Sequence, residues 1–282
     1  MNLLVTGAGG QLGKSIIAAK PHGNINYLTP HREHFDITDK VSVNRYFAEN
    51  PVDAVIHMAA FTAVDDAERV PEICKAVNAY GTENVARECI ERKIYMIYIS
   101  TDYVFDGRKS TGYVPSDKTN PLSVYGRTKR DGELYTLRSE NNLVIRTSWL
   151  FGKSPRNFVD TITKLAKSKN SINVVCDQIG NPTFADDLAA LILDCIEIQP
   201  SGIIHAANEG CCTRAEFARE IIRLQGIDCQ VNDILSDEFP SAAKRPNYSI
   251  LDMSSLDELG IKRLPNWKDA LRRYLLGEGR IK

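Results

Sequence analysis

The 282-residue sequence predicts an α/β fold in which a doubly wound parallel sheet is followed by a smaller C-terminal lobe. Three observations predict it: short apolar runs alternate with segments of helical periodicity, a glycine-rich turn follows the first run, and the regularity declines in the second half. Strands buried on both faces read as nearly continuous apolar runs, and helices between them form right-handed crossovers. A sheet of this kind binds ligands at the carboxyl ends of its strands.

The first half of the sequence supplies most of this alternation. Apolar runs suited to buried strands are followed by segments whose apolar residues recur at helical spacing. The predicted strands are residues 1–6, 25–28, 53–58, 94–99 and 143–146, and the predicted helices follow the first strand and cover 39–49, 71–92 and a stretch that starts near 123.

A glycine-rich turn joins the first predicted strand to the first predicted helix. Gly7, Gly10 and Gly13 are spaced as G-x-x-G-x-x-G, whereas the better-known G-x-G-x-x-G would need glycine in place of Leu12. Strand, glycine turn and helix in this order bring a pyrophosphate against unpaired N–H groups at a helix start. An ordinary tight turn is the alternative, but the position of the motif directly after a good strand favours a Rossmann-type dinucleotide site.

The second half contains shorter elements. Helices are predicted at 157–167, 183–196 and 267–276 and strands at 171–175 and 202–207, while Thr213-x-x-Glu216 forms a capping box that opens a further helix. We expect residues 1–148 to form a dinucleotide-binding domain, with part of 174–206 returning to it, and residues 149–282 to form a substrate-binding lobe.

Tyr125 and Lys129 lie four residues apart in the helix predicted after residue 123. Residues at i and i+4 share a helix face, so the phenol and the ammonium project into the same space. Lowering a tyrosine pKa from about 10 to about 7 takes roughly 4 kcal/mol, and a cation about 4 Å away at an effective dielectric of about 20 supplies that much. The pair therefore predicts a proton-transfer device, with Thr101 nearby at the end of the strand 94–99.

The charge and composition exclude several classes of partner. A formal net charge of −1 gives no electrostatic reason to expect nucleic acid or an anionic membrane, so a small-molecule partner is expected. No apolar run approaches the roughly 18 residues of a membrane span, and the first strand lacks the basic flank of a signal peptide. We therefore expect a cytoplasmic protein.

Neither the cysteines nor the histidines form a pattern typical of a metal site. The seven cysteines are an odd number without C-x-x-C spacing, which indicates reduced thiols rather than a disulfide framework. The five histidines show no H-x-x-x-H or H-E-x-x-H grouping, and His57 within an apolar run is interpreted as a hydrogen-bonded strand residue. No metal is predicted.

Three motifs in this order and spacing, the glycine turn, Ser100-Thr101 and Tyr125-x-x-x-Lys129, resemble the extended short-chain dehydrogenase/reductase family. Further segments, spread over nearly the whole chain, resemble its subfamily of dTDP-4-dehydrorhamnose reductases. These segments are Gly10–Gly13, Phe35–Asp39, Ala59–Asp65, Ser100–Gly107, Arg146–Gly152 and Lys244–Ser249.

The resemblance implies a reductase that transfers hydride from NADPH or NADH to the C4 keto group of dTDP-4-dehydro-6-deoxy-L-mannose (dTDP-4-dehydrorhamnose). The implied product is dTDP-L-rhamnose, which is used in cell-surface polysaccharide biosynthesis. Catalysis is assigned to Thr101, Tyr125 and Lys129, with Tyr125 as the proton donor. The implied cofactor-binding positions are Gly7, Gly10, Gln11, Leu12, Gly13, Asp36, Ile37, Ala59, Ala60 and Thr62, together with Tyr125 and Lys129. The implied substrate-binding positions are Thr101, Asp102, Tyr103, Val64, Trp149, Asn157 and Phe158.

The residues after the second predicted strand bear on the choice of coenzyme. An NAD-specific enzyme usually presents an acidic residue to the ribose 2′-hydroxyl there, whereas this chain has Thr29-Pro30-His31-Arg32. Arg32 or His31 could meet a 2′-phosphate, so NADPH is predicted, with NADH tolerated.

Relatives are reported to hold a magnesium ion at a dimer contact. No acidic cluster of this chain matches that site, and a homodimer is compatible with the resemblance without being specified by it.

Two alternatives share the predicted fold. The regulatory subunit of methionine adenosyltransferase resembles this subfamily and acts as a binding partner, but the complete set of Thr101, Tyr125 and Lys129 argues against it. The other alternative is a nucleotide-sugar epimerase or dehydratase. Dehydratases of the family carry Thr-Asp-Glu, whereas this chain has Thr101-Asp102-Tyr103 and so only half of the acidic pair that elimination needs.

Overall fold

The structure, a computed structural model, describes residues 1–19, 23–153 and 157–281. The strands are β1 (Asn2–Thr6), β2 (Asn26–Leu28), β3 (Ala54–His57), β4 (Tyr95–Thr101), β5 (Leu143–Thr147), β6 (Leu150–Phe151), β7 (Ser171–Val175), β8 (Ile179–Gly180), β9 (Thr183–Phe184), β10 (Gly202–His205), β11 (Asn208–Glu209), β12 (Cys212–Thr213), β13 (Gln230–Ile234) and β14 (Leu264–Asn266). The helices are α1 (Gln11–Ala18), α2 (Lys40–Glu49), α3 (Val64–Arg69), α4 (Pro71–Lys75), α5 (Thr82–Arg92), α6 (Val124–Thr136), α7 (Phe158–Ser168), α8 (Ala185–Ile198), α9 (Arg214–Gln225), α10 (Ser254–Glu258) and α11 (Trp267–Gly277).

Six parallel strands form the main sheet in the order β10-β5-β4-β3-β1-β2. The strand order reverses between β1 and β3, which is the switch point where such sheets leave a crevice for ligands. Alternate residues of each strand point to opposite faces, so Leu3 and Val5 pack into one apolar cluster and Leu4 packs into the other. The predicted doubly wound parallel sheet is confirmed.

A second apolar core lies in the C-terminal half. Phe151, Phe217 and Tyr274 are fully buried there, among residues from α7, α9 and α11. A small parallel sheet of β7 and β13 borders it. Other parts of this half pack on the main sheet instead: β10 is its edge strand, and α8 contacts α1, where Ser15 donates a 2.6 Å hydrogen bond to Asp186. The domain boundary after residue 148 remains a prediction.

Several predicted elements differ from the structure at their ends. The strand predicted at 94–99 continues to Thr101, which pairs with Thr147 of β5. The single helix predicted at 71–92 is α4, a π-helical turn over Ala76–Gly81, and α5. The helix predicted at 183–196 begins at Ala185, because the two residues before it form β9 and pair with β6. In the described ranges, no helix is both long and apolar enough to cross a membrane.

Candidate active site

A cleft of about 1920 Å³ opens at the carboxyl ends of β1, β3, β4 and β5. Every residue that was predicted for catalysis, cofactor binding or substrate binding lines it. The lining includes the glycine turn, Arg32 and the residues after β3, which were predicted to bind the cofactor, and the lobe residues Trp149 and Phe158, which were predicted to bind the substrate. The structure thus brings together segments that are far apart in the sequence, while the role of each residue remains a prediction.

The turn after β1 forms a cradle at the start of α1. Gly7 has a φ of +72°, and a Cβ added there would lie 2.8 Å from the backbone nitrogen of Ala59. Gly10 precedes α1 and donates a 2.9 Å backbone hydrogen bond to the Gly7 carbonyl. As at any helix start, the first N–H groups of α1 have no intrahelical partner. The Gln11 Oε1 atom is shielded there and has no hydrogen-bond partner within the described ranges. This cradle fits the pyrophosphate of a dinucleotide.

His57 holds the wall of the cradle. Thr6 Oγ1 accepts hydrogen bonds from the backbone N–H groups of Met58 and Ala59, both at 3.1 Å, and it lies 2.8 Å from His57 Nδ1. Thr82 Oγ1 lies 3.1 Å from His57 Nε2 and donates to a backbone carbonyl, so Nε2 is the donor in this pair. Burial lowers the pKa of His57 to about 3. The interpretation of His57 as a hydrogen-bonded strand residue is therefore confirmed.

Gly7→Ala should weaken NADPH binding about tenfold or more, because the added methyl group pushes against Ala59 and deforms the cradle. The left-handed φ should also cost about 1–2 kcal/mol of the free energy of unfolding. Gly226→Ala is the matched control: Gly226 has a φ of +61°, but a Cβ there meets nothing within 4 Å. We expect this control to lose similar stability while retaining NADPH affinity in a fluorescence titration. Equal NADPH affinity in both variants would contradict the assignment of the cradle.

Arg32 and Asp36 line the cleft and were predicted to bind the adenosine part of the cofactor. Arg32 Nε lies 3.2 Å from Asp36 Oδ2, and the Arg32 side chain is 77% exposed. Asp36 Oδ1 accepts hydrogen bonds from the backbone and hydroxyl of Thr38 at 2.9 and 2.7 Å, so this carboxylate orders its own turn. Among the residues that the structure describes, Arg32 is held by this exposed ion pair alone, and its side chain can turn toward a phosphate.

The catalytic candidates meet where α6 crosses the end of β4. Ser123 caps α6, and Tyr125 and Lys129 follow on one face, as the spacing predicts. A Cβ added at Gly126 would lie 2.2 Å from the Tyr103 carbonyl oxygen, so this glycine permits the close approach of α6. Lys129 Nζ donates a 2.7 Å hydrogen bond to the Ile99 carbonyl, which anchors the lysine to β4.

The predicted lowering of the Tyr125 pKa by Lys129 is wrong for the protein alone. Burial raises the pKa of Tyr125 above its usual value, and the neighbouring Thr101 hydroxyl opposes only part of this rise. Burial also lowers the pKa of Lys129 to about 7, although Glu133 and Cys74 act against it. Burial thus favours the neutral form of this lysine, which weakens its influence on the phenol. Tyr125 is therefore protonated at neutral pH.

A buried ion pair holds α6 against β4 and β5 next to the catalytic candidates. Arg146 donates two hydrogen bonds to Glu133, from Nε to Oε1 at 2.9 Å and from Nη2 to Oε2 at 2.8 Å, and both side chains are 3% exposed. Ser100 Oγ donates a third, 2.5 Å hydrogen bond to Glu133 Oε1. The pair joins β4, β5 and α6 one helical turn beyond Lys129. Neither Glu133 nor Arg146 was predicted as a site residue.

Asp102 is one of the cleft residues that were predicted to bind the substrate. Thr101 donates a 3.1 Å hydrogen bond to Asp102 Oδ1, whereas Asp102 Oδ2 has no hydrogen-bond partner in the described part of the chain. Burial raises the pKa of this carboxyl to about 6, although Ser249, Thr101 and Arg214 lower it. Asn157 lines the cleft too, but its side chain caps α7 and donates to the Gly152 carbonyl. The described ranges contain no cluster of three or more histidine, cysteine or acidic side chains that could hold a metal ion.

Two arginines of the cleft, Arg214 and Arg245, were not predicted as site residues. Arg245 pairs with Asp65 at 2.7 Å, and the Ala243 backbone and Ser241 hydroxyl also donate to Asp65, so the segment before β14 is tied to α3. Arg214 lies at the first position of α9. One signal could have identified Arg214: a cation in the first turn of a capped helix opposes the helix dipole, which favours acidic residues there.

Comparison with known proteins gives the family. The chain matches the family described as RmlD substrate binding domain over residues 1–278. The spore coat polysaccharide biosynthesis protein SpsK of Bacillus subtilis is 36% identical over 97% of this chain and 96% of its own length. A dTDP-4-dehydrorhamnose reductase of Clostridium acetobutylicum superimposes with a TM-score of 0.96 at 37% identity, covering 99% of this chain and 100% of that chain.

A second solved structure of a relative contains a bound coenzyme. The dTDP-4-dehydrorhamnose reductase of Bacillus anthracis, solved in complex with NADP, superimposes with a TM-score of 0.94 at 35% identity, covering 98% of this chain and 99% of that chain. These matches extend over both the sheet and the C-terminal half. The chain therefore belongs to the RmlD substrate binding domain family, and its relatives include dTDP-4-dehydrorhamnose reductases.

Proposed function

We propose that this protein reduces the C4 keto group of dTDP-4-dehydrorhamnose to give dTDP-L-rhamnose, with NADPH as the preferred coenzyme and NADH tolerated. The observation that carries the proposal is the meeting of Thr101, Tyr125 and Lys129 in the same cleft as the glycine cradle. The names of the Clostridium and Bacillus anthracis relatives support the substrate, and the name of SpsK supports a role in polysaccharide biosynthesis. We place the reaction in the cytoplasm, a reducing compartment where free thiols such as those of this chain persist.

The side chains at the end of β4 suit the protonation of a carbonyl oxygen. Reduction places negative charge on that oxygen, and an alkoxide is a stronger base than a phenolate. Tyr125, protonated at neutral pH, donates its proton to the oxygen as general acid. The Thr101 hydroxyl, which donates to Asp102 in the structure, turns to hydrogen-bond the same oxygen and stabilises the developing charge. Lys129, when charged, stabilises the Tyr125 phenolate that remains.

The cofactor side of the cleft fits a nicotinamide dinucleotide. When bound, this coenzyme supplies the hydride. The N–H groups at the start of α1 would hold the pyrophosphate, and Asp36 and Ile37 would border the adenosine. Gln11 Oε1, which has no partner among the described residues, could accept a hydrogen bond from a hydroxyl group of a ligand in the cradle.

A coupled assay tests the proposal. Purified protein is given dTDP-4-dehydrorhamnose with NADPH or NADH, coenzyme oxidation is followed by absorbance, and the product is identified by NMR. We expect oxidation with formation of dTDP-L-rhamnose, faster with NADPH. Binding of NADPH without any oxidation would favour the non-catalytic binding subunit. A product with another configuration at the sugar ring would favour a different nucleotide-sugar enzyme.

Arg32→Ala should raise the KM for NADPH about tenfold and leave the KM for NADH within about twofold, because a charge-assisted bond to phosphate contributes roughly 1.5–3 kcal/mol. Arg45→Ala, at an exposed position of α2 outside the cleft, is the matched control and should change neither KM. The two KM values are measured with saturating sugar nucleotide. A parallel rise for both coenzymes would show that Arg32 does not contact a 2′-phosphate.

A further inference from the structure

The Arg214 guanidinium has an unusual environment within the cleft. Its central carbon lies 3.5 Å from the centroid of the Trp149 ring and 5.1 Å from that of Phe158. Its side chain makes no ion pair within 4.0 Å and no hydrogen bond in the parts of the chain that the structure describes. Arg245, the other arginine of the lobe side, is instead neutralised by Asp65 at 2.7 Å. Arg214 therefore presents a cation without a directly paired acid in the described residues, although its charge interacts with the nearby Asp102 carboxyl, and an aromatic surface sets its orientation.

The contact between Arg214 and Trp149 involves locally unfavourable backbone and charge positions. Trp149 has a φ of +45°, a left-handed conformation that is rare and strained for a bulky residue. Its indole packs where a Cβ on Gly180 would lie 2.7 Å away, so a larger residue there would displace the ring. Arg214 itself occupies the first turn of α9, next to the positive end of the helix dipole. Strain and unfavourable charge that converge on one contact are typical of functional sites.

We propose that Arg214, held against Trp149, is the subsite for the diphosphate of the sugar nucleotide. This inference rests on the proposed function, because it assigns the anionic part of that substrate to a residue. A diphosphate carries oxygens at the spacing that the planar guanidinium can bind in a bidentate manner. Arg214 lines the same cleft as Thr101 and Tyr125 and belongs to the C-terminal half, where it stacks on Trp149, so a diphosphate bound there would leave the sugar to reach the catalytic hydroxyls.

The test compares a charged and an uncharged probe on the enzyme loaded with NADPH. For Arg214→Gln we expect calorimetric affinity for dTDP to fall about 10- to 100-fold, while affinity for thymidine changes less than about twofold. In the reductase assay, KM for the sugar nucleotide should rise by a similar factor with kcat within about threefold. Arg214→Lys should recover part of the dTDP affinity, because it keeps the charge but loses the planar fork.

Arg223→Gln is the matched control on the same helix. Arg223 pairs with Glu220 at the surface and lies outside the cleft, so dTDP affinity should not change. Unchanged dTDP affinity in Arg214→Gln, or equal losses for dTDP and thymidine, would overturn the inference. Failure of the proposed function appears separately, as wild-type enzyme that oxidises no NADPH with the keto sugar, and the dTDP titration remains decisive in that case.

Discussion

Tyr125→Phe should lower the turnover number by about 10²- to 10⁴-fold while NADPH affinity changes less than about twofold, the scale typical of a lost general acid. The substitution removes one oxygen and leaves the ring in place. The Tyr125 ring meets the Tyr103 ring edge to face at 5.7 Å, and phenylalanine can keep that contact. The expected loss therefore reports proton donation rather than a change in packing.

Burial makes this residue effective as an acid. It raises the pKa of Tyr125, so the phenol holds its proton until the carbonyl oxygen gains negative charge. A phenol with a pKa near neutrality would be partly ionised before the substrate arrived, and the ionised fraction could not donate. In the structure, Lys129 is therefore better suited to stabilise the phenolate after the transfer than to form it beforehand.

Tyr135→Phe is the matched control for this prediction. Tyr135 lies on the same helix, ten positions further on and outside the cleft, so its loss of a hydroxyl should leave turnover and coenzyme binding unchanged. Steady-state rates with saturating sugar nucleotide and a separate NADPH titration provide both quantities. Full turnover by a folded Tyr125→Phe enzyme would remove Tyr125 from the mechanism and leave Thr101 or an ordered water as the proton source.

Local patterns in the sequence were sufficient to predict the elements that carry the site. The glycine turn, the start of a helix near residue 123 and the capping box at Thr213 depend on neighbouring residues, and each appears in the structure where it was expected. The buried strands are identified by continuous apolar runs, because both of their faces are covered by helices. Their common carboxyl edge then follows from parallel topology, which places Thr101 beside the cradle.

Features that depend on distant contacts could not be predicted in this way. The stacking of Arg214 on Trp149 joins residues that are 65 positions apart, and the tie between Arg245 and Asp65 spans 180 positions. The error about Lys129 has the same origin. The helical spacing with Tyr125 was right, but the degree of burial, which reduces the charge of Lys129, depends on how α6 packs against β4.

The buried ion pair between Glu133 and Arg146 lies below the catalytic candidates and was not predicted from the sequence. Breaking it should have a large effect on stability. Glu133→Ala should lower the free energy of unfolding by about 3–5 kcal/mol, since it leaves Arg146 charged, buried and without its carboxylate. The remaining acceptors of Arg146 are weaker: its Nη1 atom donates to the Pro115 carbonyl at 3.0 Å and lies 3.5 Å from His205. Burial and the nearby Arg146 charge lower the pKa of His205 to about 3, so this histidine adds no charge at neutral pH.

Urea unfolding at neutral pH measures this loss, and two further variants separate its causes. Glu220→Ala breaks the partly exposed pair with Arg223 and should cost less than about 1 kcal/mol, which controls for removal of a glutamate side chain. Glu133→Leu combined with Arg146→Met removes both charges and should recover much of the stability, because the penalty in the single variant comes from an unpaired buried cation. If the double variant is as unstable as the two single variants added together, packing rather than charge pairing holds β4, β5 and α6 at this corner.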